Sequence, residues 1–262
     1  MPKVFIIFYS LYHHVYTLAQ NVQKGLESQG VQVELYQVPE TLDDAILEKM
    51  HAPAKPDVPV ITVDKLQEAD GFLFGLPTRF GIFPAQLKAF LDSTGGLWSN
   101  GTLAGKFAGT FFSTASQHGG QETTALTAVT YFAHHGINYV PFGFAHAHLF
   151  SNDEVIGGSA YGAGTVANGD GSRQPSEKEL EIAQAQGENF GKLLVTFEKG
   201  SNASAENGDA IKTEQQNGAA KQSEEEEEAP AAAAATTTSA PAAKREAAPK
   251  KEEDKKNKCF CM

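Results

Sequence analysis

Up to residue 199 the apolar positions follow two rhythms in turn. Short unbroken runs, Val4 to Tyr9, Asp70 to Gly75, Phe107 to Ser113 and Ile137 to Pro141, have the length and composition of strands covered on both faces. Val31 to Gln37 alternates apolar with polar, as a half-covered strand does. Between these runs the spacing becomes helical. Val15, Leu18, Ala19, Val22 and Leu26 mark a helix over Val15 to Gln29, stopped by Gly30. Leu87, Phe90 and Leu91 mark another from Pro84 to Thr94, stopped at Gly95-Gly96, and a third runs from Glu122 to His135 and is closed by Gly136. A shorter helix is expected over Leu42 to Met50. Ser176 and Glu179 form a capping box that opens a last helix to about Lys199. The glycine-rich stretch from Phe142 to Pro175 is expected to be irregular.

Strands alternating with helices in this way predict an α/β class: a doubly wound, five-stranded parallel sheet with helices on both faces. Its expected strand order is 2-1-3-4-5, in which a ligand lies at the carboxyl ends of the first and third strands. Three turns then converge on one crevice: Ser10 to Val15, Pro77 to Gly81, and Ser113 to Gly120. The first of them opens a helix, where unpaired backbone N–H groups and the positive dipole end favour an anion without a lysine.

Composition divides the chain. Residues 200–262 hold almost no large apolar side chain before Phe260 and consist mainly of Ala, Glu, Lys, Pro, Ser, Thr, Asn and Gln, including the run Glu224 to Glu228. Such a segment buries too little apolar surface to offset its ordering entropy, so a folded domain over residues 1–199 and a disordered, low-complexity tail over 200–262 are expected. Residues 1–199 carry 12 Lys+Arg against 20 Asp+Glu, and the whole chain has a net charge of −11. Nucleic acid is therefore excluded as a partner, since its binding rests on cations that neutralise phosphates. The two cysteines, Cys259 and Cys261, give neither a disulfide framework nor a zinc pattern, and no secretory signal or membrane-length apolar run is present. Neither a nucleophile elbow nor a Walker loop appears.

Several segments, in order, resemble the WrbA-type flavodoxin-like family of NAD(P)H:quinone oxidoreductases in its fungal branch. They are Tyr9-Ser10-Leu11-Tyr12 with His14, Gln37 to Thr41, Gly75 to Gly81, Thr94 to Trp98, Gly119 to Glu122, Ala133 to Gly136, Tyr161 to Gly164 and Gly169 to Arg173. The resemblance implies an FMN whose phosphate sits in Ser10, Leu11, Tyr12, His13, His14 and Val15. It also implies that Pro77, Thr78, Arg79, Phe80 and Gly81 line the isoalloxazine, that Ser113, Thr114, Ala115, Ser116, Gln117, His118 and Gly119 wrap its other edge, and that His134 approaches the ring. Tyr12 and Trp98 would flank the nicotinamide and quinone position, Trp98 coming from a neighbouring subunit of a homo-tetramer (or dimer). NADH or NADPH would be the electron donor in a ping-pong, two-electron reduction of quinones that protects against oxidative stress. The family usually has Gly where this chain has His13, and a glycine-rich run where it has Ala115 to His118.

Blander readings stand beside these. Arg79 reads equally as a residue bonding local carbonyls, His134-His135 as a helix end where a cation meets the dipole, and Trp98 as a core or interface aromatic. His146 and His148 have a spacing seen in metal sites, but no Cys or acidic residue adjoins them, and the sequence alone assigns no metal. Cys259-Phe260-Cys261-Met262 has the form of a prenylation motif preceded by lysines, which predicts lipidation of Cys259 and peripheral association with the cytosolic face of a membrane, plausibly the plasma membrane, in an otherwise cytoplasmic protein. The alternative function is a membrane-tethered flavodoxin-like scaffold or regulator with weak or no reductase activity.

Overall fold

β1 (Lys3–Phe8) sends Phe5 and Ile7 into one apolar core and Val4, Ile6 and Phe8 into another, as alternating side chains do when both faces of a strand are covered. It forms the centre of a computed structural model that describes residues 1–225, with side chains to residue 203. β1 pairs in parallel with β2 (Gln32–Gln37) on one side and β3 (Gly71–Pro77) on the other, and β3 pairs in parallel with β4 (Phe107–Thr114). Beyond β4 the sheet departs from expectation. β5 (Asn138–Tyr139) pairs with the start of β4, at Phe107 and Ala108, while β7 (Gly162–Val166) pairs with its end, at Phe112 to Thr114. β6 (Gly158–Ser159) forms an antiparallel edge on β7, giving the order β2-β1-β3-β4-β7-β6 with β5 beside β4.

The expected 2-1-3-4-5 arrangement is thus present, but its fifth position is shared by two short strands rather than filled by one over Ile137 to Pro141. The stretch expected to be irregular supplies β6 and β7. The reason is steric. Gly162 lies so close to β4 that a Cβ there would sit 1.8 Å from the Thr110 carbonyl oxygen. A Gly-Ala-Gly-Thr-Val strand has no bulky apolar period to betray it, because its neighbour leaves no room for one. Gln186 fastens the join: its Nε2 donates to Thr110 O at 2.8 Å and its Oε1 accepts from Ala163 N at 2.8 Å.

Helices cover both faces. α1 (His14–Ser28) and the first part of α6 (Glu177–Glu225) bury Leu18, Val22 and Leu26 with Ile182, Phe190 and Leu194 on one face. α3 (Ala85–Asp92), α4 (Gly95–Ser99) and α5 (Gln121–His135) bury Leu87, Leu91, Leu97 and Phe132 on the other. α2 (Asp44–Lys49) contributes no buried residue. α1 and α6 touch backbone to backbone, since a Cβ on Gly25 would meet Gln184 O at 2.0 Å and one on Gly187 would meet Val22 O at 2.2 Å.

The capping box opens α6 as expected: the Ser176 N–H donates to Glu179 Oε2 at 2.9 Å and the Glu179 N–H to Ser176 Oγ at 3.3 Å. The helix does not stop near Lys199. It continues to Glu225 through a stretch without an apolar face, in which Ala, Glu, Lys and Gln are interspersed with Gly, Asn and Ser. Contacts divide the chain into units Met1–Asp209 and Ala210–Met262. Of the second unit only the helical backbone to Glu225 is described, so Cys259 and most of the expected tail lie outside the described residues. No described helix is long and apolar enough to cross a membrane.

Candidate functional site

Because β1, β3 and β4 run parallel, the turns that follow them meet at one end of the sheet. There they enclose a cleft of about 370 Å³. Ser10, Leu11, Tyr12, His14 and Val15 line it from the first turn, Pro77, Thr78 and Arg79 from the second, and Ser113, Thr114 and Ala115 from the third. Met50 and the segment Ala167 to Gly171 complete the lining.

The first turn is an opened helix start. His13, at the N-cap of α1, has φ 68°, ψ −3°, and its side chain makes no capping hydrogen bond. A left-handed backbone at a non-glycine residue costs about 1–2 kcal/mol, although histidine tolerates it better than most side chains. The imidazole offsets part of this through Nε2, 3.0 Å from the Ala54 carbonyl, and an edge contact with Tyr16. Ser10 Oγ accepts from the Tyr16 N–H at 3.3 Å. The first turn of α1 has no acidic residue, unlike those of α2, α5 and α6. His14 and Val15, whose amides have no acceptor within the helix, line the cleft with the positive end of the dipole behind them.

Tyr9, at the end of β1, is pinned from below. Its hydroxyl donates to Glu40, which also accepts from the Thr41 and Leu42 amides and Gln86 Nε2 and pairs with Lys55 at 2.6 Å. Burial works against the Glu40 carboxylate, but Lys55 and the two amides outweigh it and hold its pKa below the ordinary value. Burial and this carboxylate together push the Tyr9 phenol up.

The opposite wall comes from far along the chain. Glu179 is wholly buried and accepts from the amides of Gly157 (2.8 Å), Val166 (3.3 Å) and Ser176 (2.9 Å), from Thr165 Oγ1 (2.8 Å) and from Arg173 Nη1 (2.9 and 3.0 Å). Arg173 Nη1 and Nη2 also donate to Val166 O at 2.6 Å and Val155 O at 2.9 Å. This pair, with Glu179 buried and Arg173 half-buried, fixes the path of residues 166–173, and the Arg173 carbonyl reaches across to His14 Nε2 at 3.0 Å. His14 is therefore the hinge point between the walls. Burial lowers its pKa, outweighing the carbonyls of Arg173 and Gly171, so it stands neutral against the helix start rather than as a cation for an anion. Asp170, in this wall, is spent on Ser172, whose hydroxyl and amide keep its pKa low.

The sequence reading assigned no role here to Glu179, Met50 or Ala167 to Gly171. The glycine run Gly169 to Arg173 was visible, but its side of the cleft was not. Nothing in a capping box announces that its carboxylate will be the anchor of a wall.

The cleft has small side chains, the start of α1 and few titratable groups, an arrangement suited to a flat or anionic ligand, and among its lining residues there is no nucleophile–base pair. Comparisons with known proteins agree with this character. Residues 2–150 match the model of the NADPH-dependent FMN reductase family. The chain belongs to that family. Within its wider kinship, it is 61% identical over 187 residues to the quinone-oxidoreductase QR2 of Triphysaria versicolor, covering 71% of this chain and 91% of that one. It is 58% identical over 191 residues to the NAD(P)H quinone oxidoreductase PST3 of Candida albicans, covering 72% and 96%. The crystal structure of a flavodoxin, WrbA-like protein from Agrobacterium tumefaciens superimposes with a TM-score of 0.51 at 20% identity, over 74% of this chain and 97% of that one, and it shares the flavodoxin-like fold.

In this FMN reductase relative, several residues that the sequence pointed to lie off the cleft of their own chain. Phe80 and Gly81, at φ 53° and 79°, form the tip of a tight turn closed by Arg79 N to Ile82 O at 2.7 Å and Ile82 N to Arg79 O at 3.1 Å. Phe80 is fully exposed there. Arg79 does line the cleft, and its Nη1 donates to the Thr78 carbonyl at 2.9 Å, the local role that the sequence left open. Ser116 to Gly119 fold back on Thr114, whose Oγ1 donates to Ser116 O at 2.7 Å, while Gln117 and His118 border a separate hollow of about 420 Å³. His13 shapes the turn from beneath and does not line it. Tyr12 does line it, 41% exposed, with its hydroxyl donating to Met50 O at 2.9 Å.

Trp98, expected to serve a neighbouring subunit, and His134, expected to approach the ring, both lie away from the cleft of their own chain. α5 starts beside the cleft and runs its 15 residues, roughly 22 Å at 1.5 Å per residue, to the other end of the sheet. Asn138, three residues past its end, pairs with Phe107 at the start of β4. His134, in the last turn of α5, is exposed at that far end. Trp98, on α4, is there too and is 56% exposed. Thr94 ties the two helices: its hydroxyl donates to Leu91 O at 2.6 Å and lies 2.9 Å from the Tyr131 hydroxyl and 3.1 Å from His135 Nε2. With that hydrogen spent on Leu91, Thr94 Oγ1 accepts from His135 Nε2–H, leaving the buried Nδ1 without a partner. Burial, and then His134 beside it, lowers the His135 pKa.

Proposed function

We propose that the protein is an FMN-dependent NAD(P)H:quinone oxidoreductase. What carries the reading is the cleft: an unblocked α1 start meets two further turns at the carboxyl ends of β1, β3 and β4, in a chain whose relatives are quinone oxidoreductases. FMN fits this donor set. The amides of Tyr12 to Val15 and the dipole of α1 would hold its phosphate, and Pro77 to Arg79 with Ser113 to Ala115 would face its ring system. FMN, when bound, supplies the capacity to take a hydride from NADH or NADPH and pass two electrons to a quinone.

The remaining work belongs to the chain. Neutral His14 keeps the phosphate side free of a buried cation, so binding rests on backbone amides that need not reorganise. Arg79, held against the Thr78 carbonyl, places a fixed positive charge where an electron-rich ring is favoured. Tyr12, anchored to Met50, offers a flat face at the cleft mouth for a nicotinamide or quinone in turn. Trp98 and His134 serve this chemistry from a neighbouring subunit of a homo-tetramer: both lie far from their own cleft, and Trp98 is a large aromatic left half in solvent, as an interface residue is in an isolated chain.

The decisive experiment is titration of the purified full chain with FMN, followed by steady-state benzoquinone reduction with NADH and NADPH. Flavin binding with ping-pong turnover is expected. Flavin bound without turnover selects the scaffold reading, and a chain that takes up no flavin defeats both. Trp98→Ala should lower quinone turnover about tenfold while leaving the flavin spectrum of the isolated chain intact. Membrane placement through Cys259 is a separate proposal, tested by fractionating wild type against Cys259→Ser.

A further inference from the structure

His146 and His148 have no carboxylate near them in sequence, but the fold brings one. Glu181 lies in the second turn of α6, and its Oε2 stands 2.9 Å from His148 Nε2 across 33 residues of chain. The His146 and His148 rings are 4.8 Å apart. One ligand atom from each of the three residues lies within 4.8 Å of the others, the one such convergence of His, Cys, Asp or Glu among the described residues.

We propose that His146, His148 and Glu181 form a binding site for a divalent transition-metal ion of the Zn²⁺ or Cu²⁺ class, separate from the cleft. Two imidazoles and a carboxylate are a donor set such ions select. The backbone is built for it. His146 is extended, at φ −126° and ψ 135°, and caps the short 3-10 turn Ala147–Phe150, so that a two-residue step from strand-like to turn geometry puts both rings on one side. Each arm is anchored by a neighbour in the core: Leu149 packs into it after His148, and Ile182 is fully buried after Glu181. The three ligands are half-buried or exposed, so the site is reached from solvent. Tetrahedral Zn²⁺ with bonds of 2.0–2.1 Å sets its ligands roughly 3.3 Å apart, which asks the widest pair to close by an ångström or two.

The metal would take the place of the hydrogen bond now made between His148 Nε2 and Glu181 Oε2, with the imidazole carrying its proton on Nδ1. Three protein ligands leave a fourth position open to water or to a group from outside. Lys178, one turn back on α6, is occupied by Glu154 and does not compete for Glu181. None of the three ligands lines the cleft. The ion would clamp the 140–161 excursion onto α6, two residues from the Glu179 that holds the far wall.

The test uses full-length protein carrying Cys259→Ser and Cys261→Ser, so that the terminal thiols cannot bind metal, stripped with chelator and titrated calorimetrically with Zn²⁺. One ion per chain is expected, with a Kd below about 10 μM and a higher Tm on binding. His146→Ala and His148→Ala should each weaken binding at least tenfold and Glu181→Gln several-fold. With Cu²⁺ as the probe, the electron paramagnetic resonance spectrum should show coupling to imidazole nitrogens that disappears in the His146→Ala/His148→Ala double variant. Equal affinity and stoichiometry in parent and double variant would overturn the site, as would a parent that binds no Zn²⁺, in which case His148–Glu181 is only a hydrogen-bonded pair. These readouts do not depend on reductase activity.

Discussion

The two walls of the cleft are built in opposite ways. The wall of the three strand-end turns is local in origin: each turn directly follows its strand, and each is tied to the rest of the chain by separate single contacts, such as His13 to the Ala54 carbonyl and Tyr12 to Met50 O. The wall of Ala167 to Gly171 is remote: Glu179 holds it with five groups drawn from residues 157–176. A local wall fails one turn at a time, whereas a remote wall fails together, because removing the buried Glu179 carboxylate leaves all five of its donors without that acceptor.

That contrast is most easily broken at Glu179. Glu179→Ala should destabilise the domain by about 3–5 kcal/mol in urea unfolding and weaken FMN binding through loss of the far wall. A variant with wild-type stability would show that the wall is held by something else. The local wall should yield less. His13→Ala keeps the left-handed strain and loses the bond to Ala54, whereas His13→Gly loses the bond but removes the strain. The glycine variant should therefore be the more stable of the two by about 1 kcal/mol, with FMN affinity at least as high, and equal denaturation midpoints would argue that the strain is already relieved.

The smallest effect is on pH. His14, where the walls meet, and His135, at the far end, both have native pKa values lowered by burial below the ordinary value near 6.5. The unfolded chain then binds more protons than the native one once the pH drops below that value. The stability these residues lend is complete above about pH 6.5 and is lost as the pH falls toward the lowered native values. Thermal scans should show a steady Tm from pH 8 to 7 and a decline from 6.5 to 5, shallower in His14→Gln. A Tm that is flat across this range would mean that neither imidazole is buried neutral.

Much of this was legible from residues alone, for a physical reason. Apolar period, caps and glycine stops are short-range signals, so the helices from Val15, Pro84 and Glu122, the capping box and the three converging turns could all be read a few residues at a time. The split fifth position could not be, because a strand of Gly162 to Val166 pressed against β4 has no room for the side chains by which strands are recognised. The amphipathic period of α6 ends near Lys199, but its helical backbone runs on to Glu225, a length that period alone does not mark.

What the sequence determined by itself is the architecture and the loops that face one another across parallel strands, since strand direction follows from alternation with helices. What only the tertiary structure decided is every arrangement made between segments far apart. It turned Glu179 from a helix cap into the anchor of a wall, put Trp98 and His134 at the end of the sheet away from their own cleft, and brought Glu181 to His146 and His148. Such contacts join different elements of the chain, as His148 and Glu181 do across 33 residues, and no local pattern records them.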